Sequence, residues 1–173
     1  GFSATAMHYV SVKPMEIPNH VHAVCADIGS KTAFAEQAAV DWENILLARA
    51  TELVPGGRFI CLNFGIDAAG RYLGNTGGKH MFEHFHKYWK ALHDKGRITK
   101  GEYERATFVQ YYRTMEEFCA PFADPDSRVS RAGLILKAKY TKLTKCPYSQ
   151  AFQDAGGRMS NREYAESLIP TMR

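Results

Sequence analysis

The Pro55-Gly56-Gly57 break constrains this chain most, because it separates two runs with incompatible hydrophobic periods. Before it, Phe34, Ala38, Trp42, Ile45, Leu46 and Leu53 recur at helical spacing and line one face of a helix that Ser30 or Thr32 would cap. After it, Arg58-Phe59-Ile60-Cys61-Leu62-Asn63-Phe64 is almost continuously apolar, as in a buried strand covered on both faces in a parallel sheet. Proline cannot continue the helical ladder and glycine accepts left-handed backbone angles, so the helix must stop and the strand start within a few residues. A helix feeding such a strand is an α/β pattern.

Further elements follow the same logic. Residues 65–78 contain five glycines and read as a long loop, a length that is uncommon without a function. A second helix is expected over 80–95, with Met81, Phe85, Tyr88, Trp89 and Leu92 on one side, and a short one over 100–105. Residues 108–112 are extended in character, and Thr114-Met115-Glu116-Glu117 is a capping box opening a helix that Pro121 halts. Residues 133–140 are the second strong strand candidate, and helices follow from about Gln150 and from Ser160-Asn161. Two strands make a poor sheet, so neighbouring strands are expected upstream. The opening Gly1-Phe2-Ser3, without an initiator Met, fits a chain from which something upstream has been removed.

Composition narrows the partners. At 173 residues the chain can form one domain with a real core. No apolar run approaches the roughly 20 residues of a membrane span, which argues against a membrane partner. The net charge of +4 has one basic cluster, Lys137, Lys139, Lys142 and Lys145, whose spacing near two reads as a solvated strand face and not as a nucleic-acid site. Cys25, Cys61, Cys119 and Cys146 are far apart with no Cys-x-x-Cys pair, so reduced thiols in a cytoplasmic protein are expected. Cys61 would pack as a small hydrophobe.

Two constellations could carry chemistry. His80-Met81-Phe82-Glu83-His84 has the H-x-x-E-H form, in which imidazoles at i and i+4 of one helix hold Zn²⁺, the Glu is the base, and Glu163 or Glu166 would be the third ligand. Three fixed positions in five also arise by chance in a chain with seven His. His20-x-His22 is weaker, with no partner cluster visible, and His86 and His93 read as surface residues. The other constellation is aromatic and sulfur-rich: His8, Tyr9, Met81, Phe82, Tyr111, Tyr112 and Met172 would suit a pocket for a flat organic molecule. Core packing accounts for each of them singly.

Taken in order, the motifs resemble the C-terminal half of a SABATH-type carboxyl methyltransferase. Residues 3–11, Ser-Ala-Thr-Ala-Met-His-Tyr-Val-Ser, are similar to the family's Ser-Ser-Tyr-Ser-Leu-His-Trp-Leu-Ser. Glu52-Leu53-Val54-Pro55-Gly56-Gly57-Arg58 resembles its Glu-Leu-Val-Pro-Gly-Gly-Arg, residues 108–117 its aromatic and Glu-Glu segment, and Met172-Arg173 its late Met-Arg pair. The resemblance implies the C-terminal part of a Rossmann-like sheet with an added helical cap, its first strands missing from this chain. Residues 1–66 and 128–145 would be the sheet part, and 67–127 and 146–173 the mostly helical cap.

The same resemblance implies S-adenosylmethionine as cofactor, bordered by Ser3, Ala4 and Thr5, with Thr5 where the family usually has Tyr. It implies a small, aromatic or apolar carboxylic acid as substrate, held by His8, Tyr9, Met81, Phe82, Tyr111 and Met172, with Tyr9 where a Trp usually donates to the carboxylate. No acid or base residue and no metal ligand is assigned, since a carboxylate attacking an activated methyl needs alignment above all. A homodimer is implied too. The family's acidic glycine-containing loop is not among these residues, so the chain alone is expected to bind the cofactor weakly and to be inactive. A zinc peptidase centred on His80, Glu83 and His84, and a non-catalytic module binding a small ligand, are the alternatives.

Overall fold

The computed structural model describes residues 1–75 and 80–172, without the side chain of Met172. It divides into two compact units, Gly1–Lys139 and Tyr140–Arg173.

The first unit is organised by one parallel strand pair and the helix that joins it. Strand β1 (Phe2–Ala4) pairs in parallel with β2 (Ile60–Leu62), Ser3 lying opposite Cys61. Between them runs α1 (Ile28–Glu52), 25 residues long, so the connection is the β-helix-β crossover that parallel strands require. Its cap is Asp27, not Ser30 or Thr32: the Asp27 carboxylate accepts from the Ser30 N–H at 3.0 Å and from the Ser30 hydroxyl at 2.7 Å. A carboxylate at a helix start also meets the positive end of the dipole, which a hydroxyl cannot match. The helix stops at Leu53 and Gly56 takes a φ of +77°, which carries the chain into β2.

The inner face of α1 is the apolar stripe of the sequence. Phe34 and Ala38 pack with Val10, Ile17 and Ala23, while Trp42 and Leu46 pack with Val129, Phe59 and Cys61. Cys61 thus serves as a small apolar group beneath β2. The opposite side of β2 departs from expectation, because Ile60 and Leu62 are 55% and 47% exposed and only one face of the strand is covered. A strand is buried on two faces only where a second layer covers it, and none does so among the described residues of this unit.

The remaining elements of the unit are short. Strands β3 (Gly65–Ile66) and β4 (Arg113–Thr114) pair in parallel, so the glycine-rich stretch begins with ordered backbone; its residues 76–78 lie outside the described ones. Helices α2 (Met81–Asp94), α3 (Lys100–Glu104), α4 (Met115–Cys119) and α5 (Arg128–Arg131) follow. The Thr114 capping box is present with Glu117 as its third residue, and Pro121 lies in a tight turn just after α4. Helix α2 turns a different face inward from the one its apolar residues mark. Phe82 is buried, with His86, Trp89 and His93 on the same side, whereas Phe85, Tyr88 and Leu92 are exposed. Histidine and Trp rings pack well against other rings, so the aromatic neighbours of this helix override its apolar stripe.

Residues 134–146 form neither strand nor helix, against the strand expected over 133–140 and the sheet part expected over 128–145. An apolar run becomes a strand only beside another strand, and no described strand lies along it. Lys137 and Lys139 are accordingly exposed on coil and not on a strand face. In the second unit, α6 (Pro147–Asp154) and α7 (Asn161–Leu168) stack through Phe152 and Tyr164, ring centres 4.8 Å apart. A Ser160 capping box starts α7. Among the described residues no helix is long and apolar enough to cross a membrane.

Candidate functional site

The carboxyl ends of β1 and β2 open onto one cluster of polar rings. Directly after β1 the Thr5 N–H donates to the Leu62 carbonyl at 2.8 Å, and Thr5 itself takes a φ of +53°. A β-branched residue in the left-handed region is strained, typically by 1–3 kcal/mol, and such strain gathers at ligand sites. The bend carries residues 6–10 across the strand ends. There the Val10 N–H donates to the Val109 carbonyl and the Tyr111 N–H to the His8 carbonyl.

Polar residues of α1 and β4 fix this loop. Asp41 accepts from the Ser11 N–H at 2.7 Å and from the Ser11 hydroxyl at 2.6 Å. Arg113, 1% exposed, donates to the carbonyls of Met7 and Ala38 and lies over the rings of Trp42 and Phe118. A buried guanidinium without a carboxylate partner is tolerable only when its donors are met in this way. The result is a rigid seat for His8.

His8 is 3% exposed, and its ring lies 4.4 Å from Tyr9, 5.0 Å from Phe64 and 5.8 Å from Tyr112. Burial lowers its pKa, with the Asn63 hydrogen bond opposing, so the ring is neutral at pH 7. The His8 Nδ1 to Asn63 Oδ1 distance is 3.2 Å, and Asn63 Nδ2 is buried with no hydrogen-bond partner. The Asn63 amide can face His8 with either its oxygen or its nitrogen. If His8 Nδ1–H donates to Oδ1, the Asn63 amide N–H is free; if the amide donates to Nδ1, His8 carries its proton on Nε2. Either way the pair keeps one N–H donor without a protein partner.

Behind this pair stands a second histidine. His22 is fully buried, its Nδ1 accepts from the Val24 N–H at 3.1 Å, and its ring stacks on Phe82 at 4.0 Å and lies tilted to Tyr112 at 5.0 Å. Burial, with His20 and His8 nearby and a Gln110 hydrogen bond opposing, brings its pKa down to about 4. Burial also pushes the Tyr112 phenol up to about 12. The site is therefore a set of uncharged rings with a few donors, suited to a flat ligand carrying one polar end.

The residues expected from sequence fall in different places. Ser3 is half-buried in β1, and Ala4 and Thr5 are exposed at its carboxyl end. His8 and Phe82 belong to the ring cluster, Phe82 packing against His22 and Tyr112. Tyr9 adjoins His8 but is 56% exposed. Met81 is half-buried beside Gly74, whose carbonyl accepts its N–H at 2.8 Å. Tyr111 points elsewhere: its hydroxyl donates to Glu117 at 2.6 Å and its ring packs on the Phe34 core. The Met172 side chain lies outside the described residues, as does Arg173.

The H-x-x-E-H motif does not assemble on one helix face. His80 precedes α2 as its cap and meets the Tyr72 hydroxyl at 3.0 Å, Glu83 faces His20, and His84 lies along Tyr88. His86 and His93 are not plain surface residues, since His86 stacks on His20 and His93 on Tyr103. Tyr112 belongs to the aromatic constellation of the sequence, whereas Asn63 and His22 are the members that the sequence did not place here. A polar residue closing an apolar strand was the available signal for Asn63, and the alternation of His20 and His22 for the latter.

Residues 1–124 match the family described as SAM dependent carboxyl methyltransferase. No curated protein matches the chain. Among solved structures, one of loganic acid methyltransferase with SAH is similar, with a TM-score of 0.57 and 23% identity. That match covers 67% of this chain and 35% of the other, so this chain spans about a third of that protein's length. The likeness carries the α/β methyltransferase fold.

Proposed function

Because the chain belongs to the family of S-adenosylmethionine-dependent carboxyl methyltransferases, we propose that it forms the acid-binding side of an enzyme that methylates a small aromatic or apolar carboxylic acid. The observation that carries this is the His8–Asn63 pair, one free N–H donor among neutral rings at the carboxyl ends of two parallel strands. Ligands of α/β sheets bind at such strand ends.

A donor in a partly dry setting holds one carboxylate oxygen and leaves the other exposed to react. A carboxylate is already nucleophilic at neutral pH, so the protein needs no general base. Its task is to hold the acid in line, which can supply roughly 7–11 kcal/mol of the barrier. Tyr112, Phe82 and Met81 would pack the acyl part, while the exposed phenol of Tyr9 would reach the carboxylate from outside. Tyr112 thereby takes the place that the motif order gives to Tyr111.

The small, exposed residues Ala4 and Thr5, beside Ser3 at a strained strand end, fit one border of the S-adenosylmethionine site. When bound, that cofactor supplies a methyl group already activated on a sulfonium. Residues 1–66 would form the sheet part of one methyltransferase domain and residues 67–127 its cap, in a cytoplasmic homodimer. The test is transfer from methyl-labelled S-adenosylmethionine to a panel of small aromatic and aliphatic acids, using the longest natural form of the protein. The expected product is a volatile, base-labile methyl ester. Label that resists base, as in an N-methyl product, would overturn the carboxyl reading.

A further inference from the structure

Beside the ring cluster, three side chains from separate segments converge without any role in methyl transfer. His20 lies on the loop before α1, Cys25 ends the short turn Ala23–Cys25, and Glu83 is in the first turn of α2. One ligand-type atom from each lies within 4.8 Å of the others. His20 is buried, its side chain 6% exposed, yet its Nε2 has no hydrogen-bond partner. That nitrogen points at Glu83, 3.9 Å from Oε2. A buried, unpaired ring nitrogen costs desolvation for nothing unless something else satisfies it.

We propose that His20, Cys25 and Glu83 bind a divalent transition-metal ion, Zn²⁺ by the chemistry of the donors. One imidazole nitrogen, one thiolate and one carboxylate oxygen form a mixed set that suits Zn²⁺, whereas Mg²⁺ and Ca²⁺ want oxygen alone. Zinc needs its ligands about 2.0–2.3 Å from the ion, so separations of no more than 4.8 Å, 3.9 Å for His20 and Glu83, close by small side-chain movements. The second nitrogen is provided for. His20 Nδ1 lies 3.2 Å from the His22 carbonyl, and donating its proton there frees the Nε2 lone pair for the metal. In the alternative tautomer Nδ1 accepts from the His22 N–H at 3.1 Å; metal binding selects the first.

Three protein ligands would leave a fourth position for water; the Tyr72 hydroxyl lies 3.7 Å from Cys25 Sγ. The ion would tie the loop carrying His22 to the turn carrying Phe82, the two rings that stack at 4.0 Å behind the proposed acyl site. Its role is thus to position the pocket wall. The set differs from the H-x-x-E-H reading, sharing only Glu83 with it.

The test is independent of methyl transfer. Purified, metal-stripped chain is titrated with Zn²⁺ by calorimetry and with Co²⁺ by absorption spectroscopy. One ion per chain is expected, with a thiolate-to-cobalt charge-transfer band. Cys25→Ser should abolish the band, Glu83→Gln should weaken Zn²⁺ binding at least tenfold, and Cys146→Ser, at an exposed cysteine elsewhere, should change neither. Far-UV circular dichroism checks each variant's fold; should Cys25→Ser unfold, the exposed Glu83 decides the matter. No saturable binding, a band that survives Cys25→Ser or falls with Cys146→Ser, or full affinity in Glu83→Gln would overturn the site.

Discussion

Around Phe34 and Trp42 the inward side chains are apolar and follow the period of α1, whereas around His22 they are rings bearing nitrogens and hydroxyls, delivered by several unrelated segments. The first region is one helix laid on a strand and a short helix, and its energy is mostly area removed from water. The second is assembled from the loop after β1, the loop before α1, the residue after β2, the start of α2 and the approach to β4. Its imidazoles must be stripped of water and kept neutral. Two regions of similar burial therefore answer differently to acid, and the one that bends with pH is the one we propose as the acid-binding side.

The largest expected effect separates them by packing. Phe34 is fully buried, so Phe34→Ala should cost about 3–5 kcal/mol in chemical denaturation. It should leave the pH dependence of stability unchanged. A loss well under 1 kcal/mol would mean that the α1 stripe is not the main support of this unit.

The next effect belongs to the rings. The His22 pKa of about 4 in the folded protein lies below its ordinary 6.5, so between these values the unfolded chain binds more protons and stability falls with acid. The contribution is complete above 6.5 and drains away as pH falls toward 4, by roughly 3 kcal/mol in all. Denaturation measured along this range should show that slope, and His22→Phe, which keeps a ring against Phe82, should flatten it. An unchanged slope in the variant would assign the acid sensitivity to other groups.

The two regions were also unequally legible in the sequence. Periodicity marks one face of α1 because burial there is a property of the helix itself, and the Pro-Gly-Gly break and the Thr114 capping box act over a few residues. His22 and Asn63 gain meaning only from partners far along the chain, 60 residues away for Phe82 and 55 for His8, and no local pattern records such meetings. The inward face of α2 failed for the same reason: its apolar stripe is real, but the neighbouring rings select Phe82, His86 and Trp89. Residues 133–140 failed differently. Their composition suits a strand, and a strand needs a neighbour. Of the residues that the motif order names, His8 and Phe82 lie in the ring cluster, Tyr9 is exposed beside His8, and Tyr111 bonds Glu117 while the adjacent Tyr112 faces the rings.

The smallest effect on stability should come from Asn63, and it leads to the sharpest measurement. Asn63→Ala removes one partly buried hydrogen bond and should cost only about 1 kcal/mol. Its consequence for ligand binding should be larger. Nitrogen-edited NMR of the Asn63 side-chain amide and the His8 ring, during titration with benzoate and with methyl benzoate, reads the carboxylate contact directly. A carboxylate-reading pair predicts saturable shifts of both groups with the acid, little response to the ester, and at least tenfold weaker acid binding in Asn63→Ala. Equal response to acid and ester, or shifts confined to residues away from His8 and Asn63, would contradict it.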